Sequence, residues 1–291
     1  MGEEIPVIDM QNVDENKLRE ACEKWGCFRV VNHGVPTELM AEIKSVVTKL
    51  FVLPVETKQR TKVGLPGTGY LRPNPVNEAF AVDISSSLSL PSFCSDLDAS
   101  PQQREIIERY AENMHKLGID IASRMAGSSG VDDDSVKVCP SHMRMNKYTI
   151  TQENIGTGGL ETHTDASLFT ILLDDEHLGG LEIVDPSGQL LAVDRFPASF
   201  LINLGDIAVA WSNGKMRNLK HRVVCKDVGI RMSIATIIVP TIDEEIKAHR
   251  KFIEGDRPPK YIPFRYAEYR KLRAATKLID GEALELLLWK N

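Results

Sequence analysis

The chain has no basic excess: 35 Lys and Arg stand against 41 Asp and Glu, a formal net charge of −6. Nucleic acids and anionic membranes are held by clustered positive charge, so neither is an expected partner. No apolar run approaches the roughly 20 residues that cross a bilayer. The N-terminus, Met1-Gly2-Glu3-Glu4-Ile5-Pro6, lacks a targeting segment, and Pro6 stands where a myristoylation signal wants Ser or Thr. Cysteines are few and unpatterned. Cys22, Cys27, Cys94, Cys139 and Cys225 form no C-x-x-C pair, which argues against a disulfide or zinc framework and for reduced thiols in a cytoplasmic protein. Internal repeats, low-complexity tracts and obvious linkers are also missing.

What is present suits a globular protein: 42% hydrophobic and 26% charged residues over 291 positions. Residues 1–97 form an N-terminal α/β region. It opens with a strand over Ile5–Asp9 and a helix through Leu18, Cys22 and Trp25 that Gly26 stops. A strand over Cys27–Val31 follows, then a helix opened by Pro36 with Met40, Ile43, Val47 and Leu50 on one face. From about Lys62 to Leu97, Gly, Pro and Ser predict a long irregular loop covering a site. Residues 98–140 hold a long core-supporting helix, begun by a Ser100–Gln103 capping box with Pro101 at its first position.

Residues 141–245 change texture to short β-like runs: Arg144–Ile150, Leu168–Leu173, Gly180–Val184, Leu190–Val193, Phe200–Asn203, Ala208–Trp211, His221–Cys225 and Arg231–Val239. Such spacing predicts a sandwich or closed barrel. Residues 246–291 form a C-terminal helical region, helical from Arg265 to Trp289. The expected fold is mostly β with flanking helices, an α+β protein around a jelly-roll core.

Three features of the β-rich part interlock. In His163-Thr164-Asp165, residues two apart on a strand point the same way and can meet one ion. His221, at the start of another strand, adds a second imidazole. Two His and one Asp occupy one face of a metal and leave the others open, a set associated with non-haem Fe(II) oxygenases. Zinc accepts similar ligands but has no redox chemistry. His33, His115, His142, His177 and His249 lack such companions and are read as structural or surface residues. The third feature is Arg231-Met232-Ser233, where a guanidinium and a hydroxyl on one face suit a carboxylate. Upstream, Arg144, Asn146 and Tyr148 alternate with Met143, Met145 and Lys147, so three polar groups share a face. That face is either the barrel interior or the solvent side of an edge strand. Each feature alone is weak; their conjunction specifies an open metal site beside a seat for an anionic co-substrate.

On these residues the chain resembles the plant 2-oxoglutarate- and Fe(II)-dependent dioxygenase superfamily nearly end to end. The shared motifs are Trp25-Gly26-Cys27-Phe28-Arg29-Val30-Val31-Asn32-His33-Gly34, Met143–Tyr148, His163-Thr164-Asp165-Ala166-Ser167, Gly179-Gly180-Leu181-Glu182, Asn203-Leu204-Gly205-Asp206, Lys220-His221-Arg222-Val223 and Arg231-x-Ser233. Within it, Gly67-Thr68-Gly69-Tyr70, Phe93–Ala99 and Trp211-Ser212-Asn213-Gly214 resemble the auxin-oxidising branch. The stretch Asn74–Asp83 departs from that pattern, and Ile237 stands where those enzymes tend to carry Phe.

The resemblance implies a double-stranded β-helix core, with His163, Asp165 and His221 as iron and catalytic ligands. It implies 2-oxoglutarate held by Arg231 and Ser233 with help from Tyr148, Asn146 close to the iron, O₂ as second co-substrate and ascorbate as supporting reductant. The expected partner is a small-molecule substrate, with no nucleic acid, membrane or obligate protein partner. Hydroxylation of a small aromatic or hydrophobic metabolite is the leading expectation, indole-3-acetic acid being the best named candidate. Desaturation, demethylation or cyclisation of a specialised metabolite such as an alkaloid uses the same chemistry. A non-catalytic binding protein on this fold is the reading from another class, and the intact ligand set argues against it. Arg144 either binds a substrate carboxylate or serves packing, while Phe80, Phe169 and Ile237 are candidate pocket walls.

Overall fold

In the computed structural model, which describes residues 4–61, 68–131, 139–253 and 259–289, the chain opens with strand β1 (Val7–Asp9) and helix α1 (Glu15–Glu20). The Asp14 carboxylate caps α1, accepting from the backbone N–H groups of Asn16 and Lys17. A single wide turn over Ala21–Trp25 ends at Gly26, whose φ is 67°. A Cβ there would lie 2.4 Å from the Arg217 carbonyl oxygen, so both the left-handed cap and the close approach demand glycine. Strand β2 (Cys27–Val31), helix α2 (Thr37–Val52) and the short α3 (Val55–Lys58) follow.

The expected loop from about Lys62 to Leu97 is corrected. Residues 62–67 lie outside the described residues. The rest forms a hairpin, β3 (Gly69–Asn74) and β4 (Asn77–Asp83), followed by helix α4 (Ser89–Asp96). Pro73 and Pro75 hid the hairpin, yet β3 is an edge strand, where a missing N–H is tolerated. Helix α5 (Pro101–Ser128) begins with the expected reciprocal Ser100–Gln103 capping box.

The remaining strands are β5 (Ser141–Ile150), β6 (Gly158–His163), β7 (Phe169–Leu173), β8 (Leu181–Val184), β9 (Leu190–Ala192), β10 (Phe200–Leu204), β11 (His221–Val224), β12 (Gly229–Ile238) and a short separate pair, β13 (Glu245–Ile246) and β14 (Phe264–Arg265). Eight strands form a main sheet in the order β1-β2-β10-β7-β12-β5-β4-β3, and four form a second, β6-β11-β8-β9. This is the expected jelly-roll core, mostly β with flanking helices. Strands β1 to β4 of the N-terminal region extend the main sheet at both ends. Ala208–Trp211 is not a strand but part of helix α6 (Asp206–Trp211), because so short an apolar run carries no readable period. The C-terminal tail is helical in two pieces, α7 (Tyr266–Thr276) and a 3₁₀ segment over Glu282–Leu287, parted by Lys277 at φ 58°.

Register sorts the main sheet into two faces. Leu201, Leu172, Ala235, Arg144 and Ala81 lie directly opposite one another across five strands and share the face toward the small sheet. The row Leu173, Ile234, Met145 and Phe80 lies on the reverse. Along this row the reverse face is apolar and joins the large core that includes buried residues of α2 and α5.

Candidate metal and co-substrate site

His163 ends β6 and His221 begins β11, and the two are register partners across the small sheet. Their rings therefore stand side by side, with centroids 4.2 Å apart. Asp165 lies two residues past His163, its Oδ1 3.7 Å from His163 Nε2. Ligand atoms of the three all lie within 4.8 Å of one another, the only such group among the described residues. His163 Nδ1 is 2.8 Å from the Glu161 carbonyl oxygen and His221 Nδ1 is 3.2 Å from that of Leu219. Each Nδ1–H thus donates to backbone, which leaves each Nε2 with a lone pair for a metal. Thr170 Oγ1 donates to Asp165 Oδ2 at 2.5 Å, leaving Oδ1 as the ligand atom.

Electrostatics keeps His163 and Asp165 in ligating form. Burial, then the charge of His221, lowers the His163 pKa to about 4, so its ring is neutral near neutrality. Burial works against ionisation of Asp165. The charges of His221 and His163 and the Thr170 hydrogen bond outweigh it, and its pKa falls. Two imidazoles and one carboxylate with open faces suit Fe(II).

A brace behind this set escaped the sequence reading. Asp206 is fully buried, and its backbone N–H donates to the Asp165 carbonyl at 2.9 Å. Its carboxylate accepts from Asn218 Nδ2 at 2.6 Å, from the Tyr269 hydroxyl at 2.7 Å and from Arg273 Nη1. Arg273, on α7, also donates from Nη2 to the Thr164 and Ile279 carbonyls, each at 2.8 Å. A Cβ on the preceding Gly205 would fall 2.2 Å from the Ser167 carbonyl oxygen, so only glycine lets this brace close. The signal was an acid inside an apolar run, Leu204-Gly205-Asp206-Ile207-Ala208.

Between the sheets lies a cavity of about 630 Å³, which the three ligands line together with Arg144, Asn146, Tyr148, Arg231, Ser233 and Ile237. Pairing of β5 with β12 sets Arg231 opposite Tyr148, Ser233 opposite Asn146 and Ala235 opposite Arg144. The polar alternation of β5 therefore faces the interior, not solvent. Arg231 is 1% exposed and stacks with its guanidinium carbon 5.4 Å from the Tyr148 ring centroid. Its Nη2 pairs with Asp174, but Nε and Nη1 are buried without a protein partner. Unanswered charged donors are costly, and an anionic co-substrate would answer them. The residues present fit both a ferrous ion and a diacid beside it. Burial raises the Tyr148 pKa, so its phenol remains a donor. Arg144 Nε donates to Asn146 Oδ1 at 3.1 Å.

Two expected pocket residues are misplaced. Phe80 lies opposite Met145, on the reverse of the sheet, and packs on Phe51 with ring centroids 4.9 Å apart. Phe169 lies opposite Ile238 on that same face and is fully buried. The apolar walls are instead Ile237, as expected, with Leu160, Leu172, Leu181, Val223 and Ala235. Asn74, the last residue of β3, sits at the cavity and donates to the Gly159 carbonyl at 2.8 Å.

Residues 139–240 match the 2OG-Fe(II) oxygenase superfamily, and residues 5–108 match the non-haem dioxygenase in morphine synthesis N-terminal family. The chain is 42% identical over 296 residues to the 2-oxoglutarate-dependent dioxygenase DAO of Oryza sativa subsp. indica, covering 98% of this chain and 99% of that protein. It is similar to the crystal structure of the dioxygenase for auxin oxidation in rice, with a TM-score of 0.92 and 41% identity, covering 98% of this chain and 100% of that one. It is also similar to the 2-oxoglutarate complex of dioxygenase for auxin oxidation 1 from Arabidopsis thaliana. There the TM-score is 0.84 and the identity 42%, with 88% of this chain and 100% of that one covered. Among the described residues no helix is long and apolar enough to cross a membrane.

Proposed function

Because the chain belongs to the 2OG-Fe(II) oxygenase superfamily, we propose that it hydroxylates a small carboxylate-bearing aromatic metabolite, indole-3-acetic acid first among candidates. In this reading His163, Asp165 and His221 hold the iron, and Arg231 and Ser233 seat 2-oxoglutarate. The observation that carries it is the pair of unpartnered Arg231 donors, buried in the cavity that the three ligands also line.

With Fe(II) bound, O₂ and 2-oxoglutarate supply the oxidation: one oxygen atom enters the substrate, the other enters succinate, and CO₂ leaves. The protein's own part is positioning. Arg231 Nε and Nη1 offer charged hydrogen bonds to a carboxylate, and packing on Tyr148 fixes the guanidinium plane. The Ser233 hydroxyl, two residues on, adds a donor on the same face. Asn146 is opposite Ser233 and holds the Arg144 guanidinium through its side-chain oxygen. Arg144, two residues farther along β5, is the anchor for a substrate carboxylate. Leu160, Leu172, Val223 and Ile237 give an aromatic body an apolar surface and exclude water. The similarity to proteins named for auxin oxidation supports indole-3-acetic acid as the first substrate to try.

The test combines protein, Fe(II), ascorbate, 2-oxoglutarate and indole-3-acetic acid under air. Substrate-stimulated succinate and a product heavier by one oxygen are expected. Succinate release that the acid does not stimulate rejects this substrate. An absence of 2-oxoglutarate turnover with every aromatic acid tried rejects the hydroxylase reading.

A further inference from the structure

We infer that Asp174 is a built-in counter-anion for Arg231 and holds the affinity for the diacid co-substrate below what the bare guanidinium would give. The inference rests on the co-substrate seat proposed above. Asp174 lies one residue beyond β7, and its carboxylate pairs with Arg231 Nη2. It is the only acid that Arg231 pairs with among the described residues, although the guanidinium is 1% exposed. A second buried guanidinium, that of Arg29, also feels Asp174. Burial disfavours its charge, and Asp174 is the foremost charge opposing that effect. The Asp194 charge supports it next, and the hydrogen bonds of Arg29 go to neutral oxygens, Ser199 Oγ at 3.4 Å and the Asp194 carbonyl. The Asp174 charge therefore pairs with one buried cation and favours a second.

This carboxylate is not what aims Arg231. The side chain rises from the middle of the main sheet, is enclosed by packing and lies against the Tyr148 ring. The segment after β7 is pinned separately, by the Met232 backbone N–H donating to Asp175 Oδ2 at 2.7 Å. What Asp174 supplies is charge. In the empty cavity Arg231 and Asp174 form a neutral pair, which spares the fold a lone buried cation. When a carboxylate enters, two anions share one guanidinium in a medium that screens them weakly, and their repulsion lowers affinity. Removing the Asp174 charge has two linked effects from this one cause. The empty protein loses stability, and the diacid binds more tightly.

The experiment titrates 2-oxoglutarate into the Mn(II)-loaded protein by calorimetry, for the wild type, Asp174→Asn and Asp174→Glu. Melting temperatures are recorded with and without the diacid. Asp174→Asn should bind 2-oxoglutarate on the order of tenfold more tightly. It should melt lower when empty and gain more on binding than the wild type does. Asp174→Glu, which keeps the charge, should bind as the wild type does. Unchanged or weaker binding by Asp174→Asn overturns the inference. A wild type that binds no 2-oxoglutarate overturns the seat itself, which is a separate failure. Should Asp174→Asn not fold alone, refolding from denaturant with and without 2-oxoglutarate decides. Recovery only with the diacid supports the inference, and no recovery in either case overturns it.

Discussion

The two faces of the main sheet are made by the same strands and do opposite things. On the reverse face, Phe80, Met145, Ile234 and Leu173 meet helices and are satisfied by burial alone. On the cavity face, a single residue away along each strand, Arg231, Ser233, Asn146 and Tyr148 are buried with polar groups exposed to one another and to an interior space. One face is complete as folded; the other is completed by what binds. The lesson is that strand parity, more than residue type, separates stability from function here.

Breaking the comparison hardest should be His221→Ala. Turnover should fall below detection and bound iron should be lost, while circular dichroism and the melting curve stay near wild type, because the residue supports chemistry and not the core. Phe169→Ala attacks the other face. It should destabilise by about 3–5 kcal/mol in a denaturant titration and leave the KM for 2-oxoglutarate unchanged. A shifted KM would mean that the two faces are coupled. Arg231→Lys keeps the charge but loses the planar fork, so steady-state assays should show the KM for 2-oxoglutarate rising about ten- to a hundredfold. Thr170→Val removes only the hydroxyl that steers Asp165 and should weaken metal binding about tenfold in a competition titration.

The smallest effect tests the charged patch on the reverse face. Partial burial opposes ionisation of Glu78, but hydrogen bonds from Lys58, Tyr70 and Lys147 outweigh it and bring its pKa down to about 2. A carboxylate depressed in the folded state binds its proton first in the unfolded state. Its stabilising contribution is therefore full above pH 4.5 and is lost as pH falls from there toward about 2. Glu78→Gln should flatten the acid limb of the stability profile while the 2-oxoglutarate KM holds.

Much of this was legible in the residues alone. The capping box announced α5, and the short β-runs announced the barrel. The pairing of His163 with Asp165, the distant His221 and the Arg231-x-Ser233 pair pointed to the residues that the fold gathers at one cavity, because chemistry leaves few uses for that combination. Face assignment failed where the pattern was silent. Phe169-Thr170-Ile171-Leu172-Leu173 is nearly all apolar, so nothing in it says that Thr170 and Leu172 turn inward. Phe80 could be placed only by its register against Met145, and the prolines had hidden its strand. The brace of Asp206, Tyr269 and Arg273 joins residues more than sixty positions apart, a distance over which no local pattern reports.

That brace bears on the order in which the molecule matures. All three proposed ligands leave the ribosome before Tyr269 and Arg273 do, so a nascent chain carries the imidazoles and the carboxylate without the helix that steadies the loop between them. A chain stopped before α7 would keep every proposed ligand and lose the side chains that hold Asp206 and the backbone at Thr164.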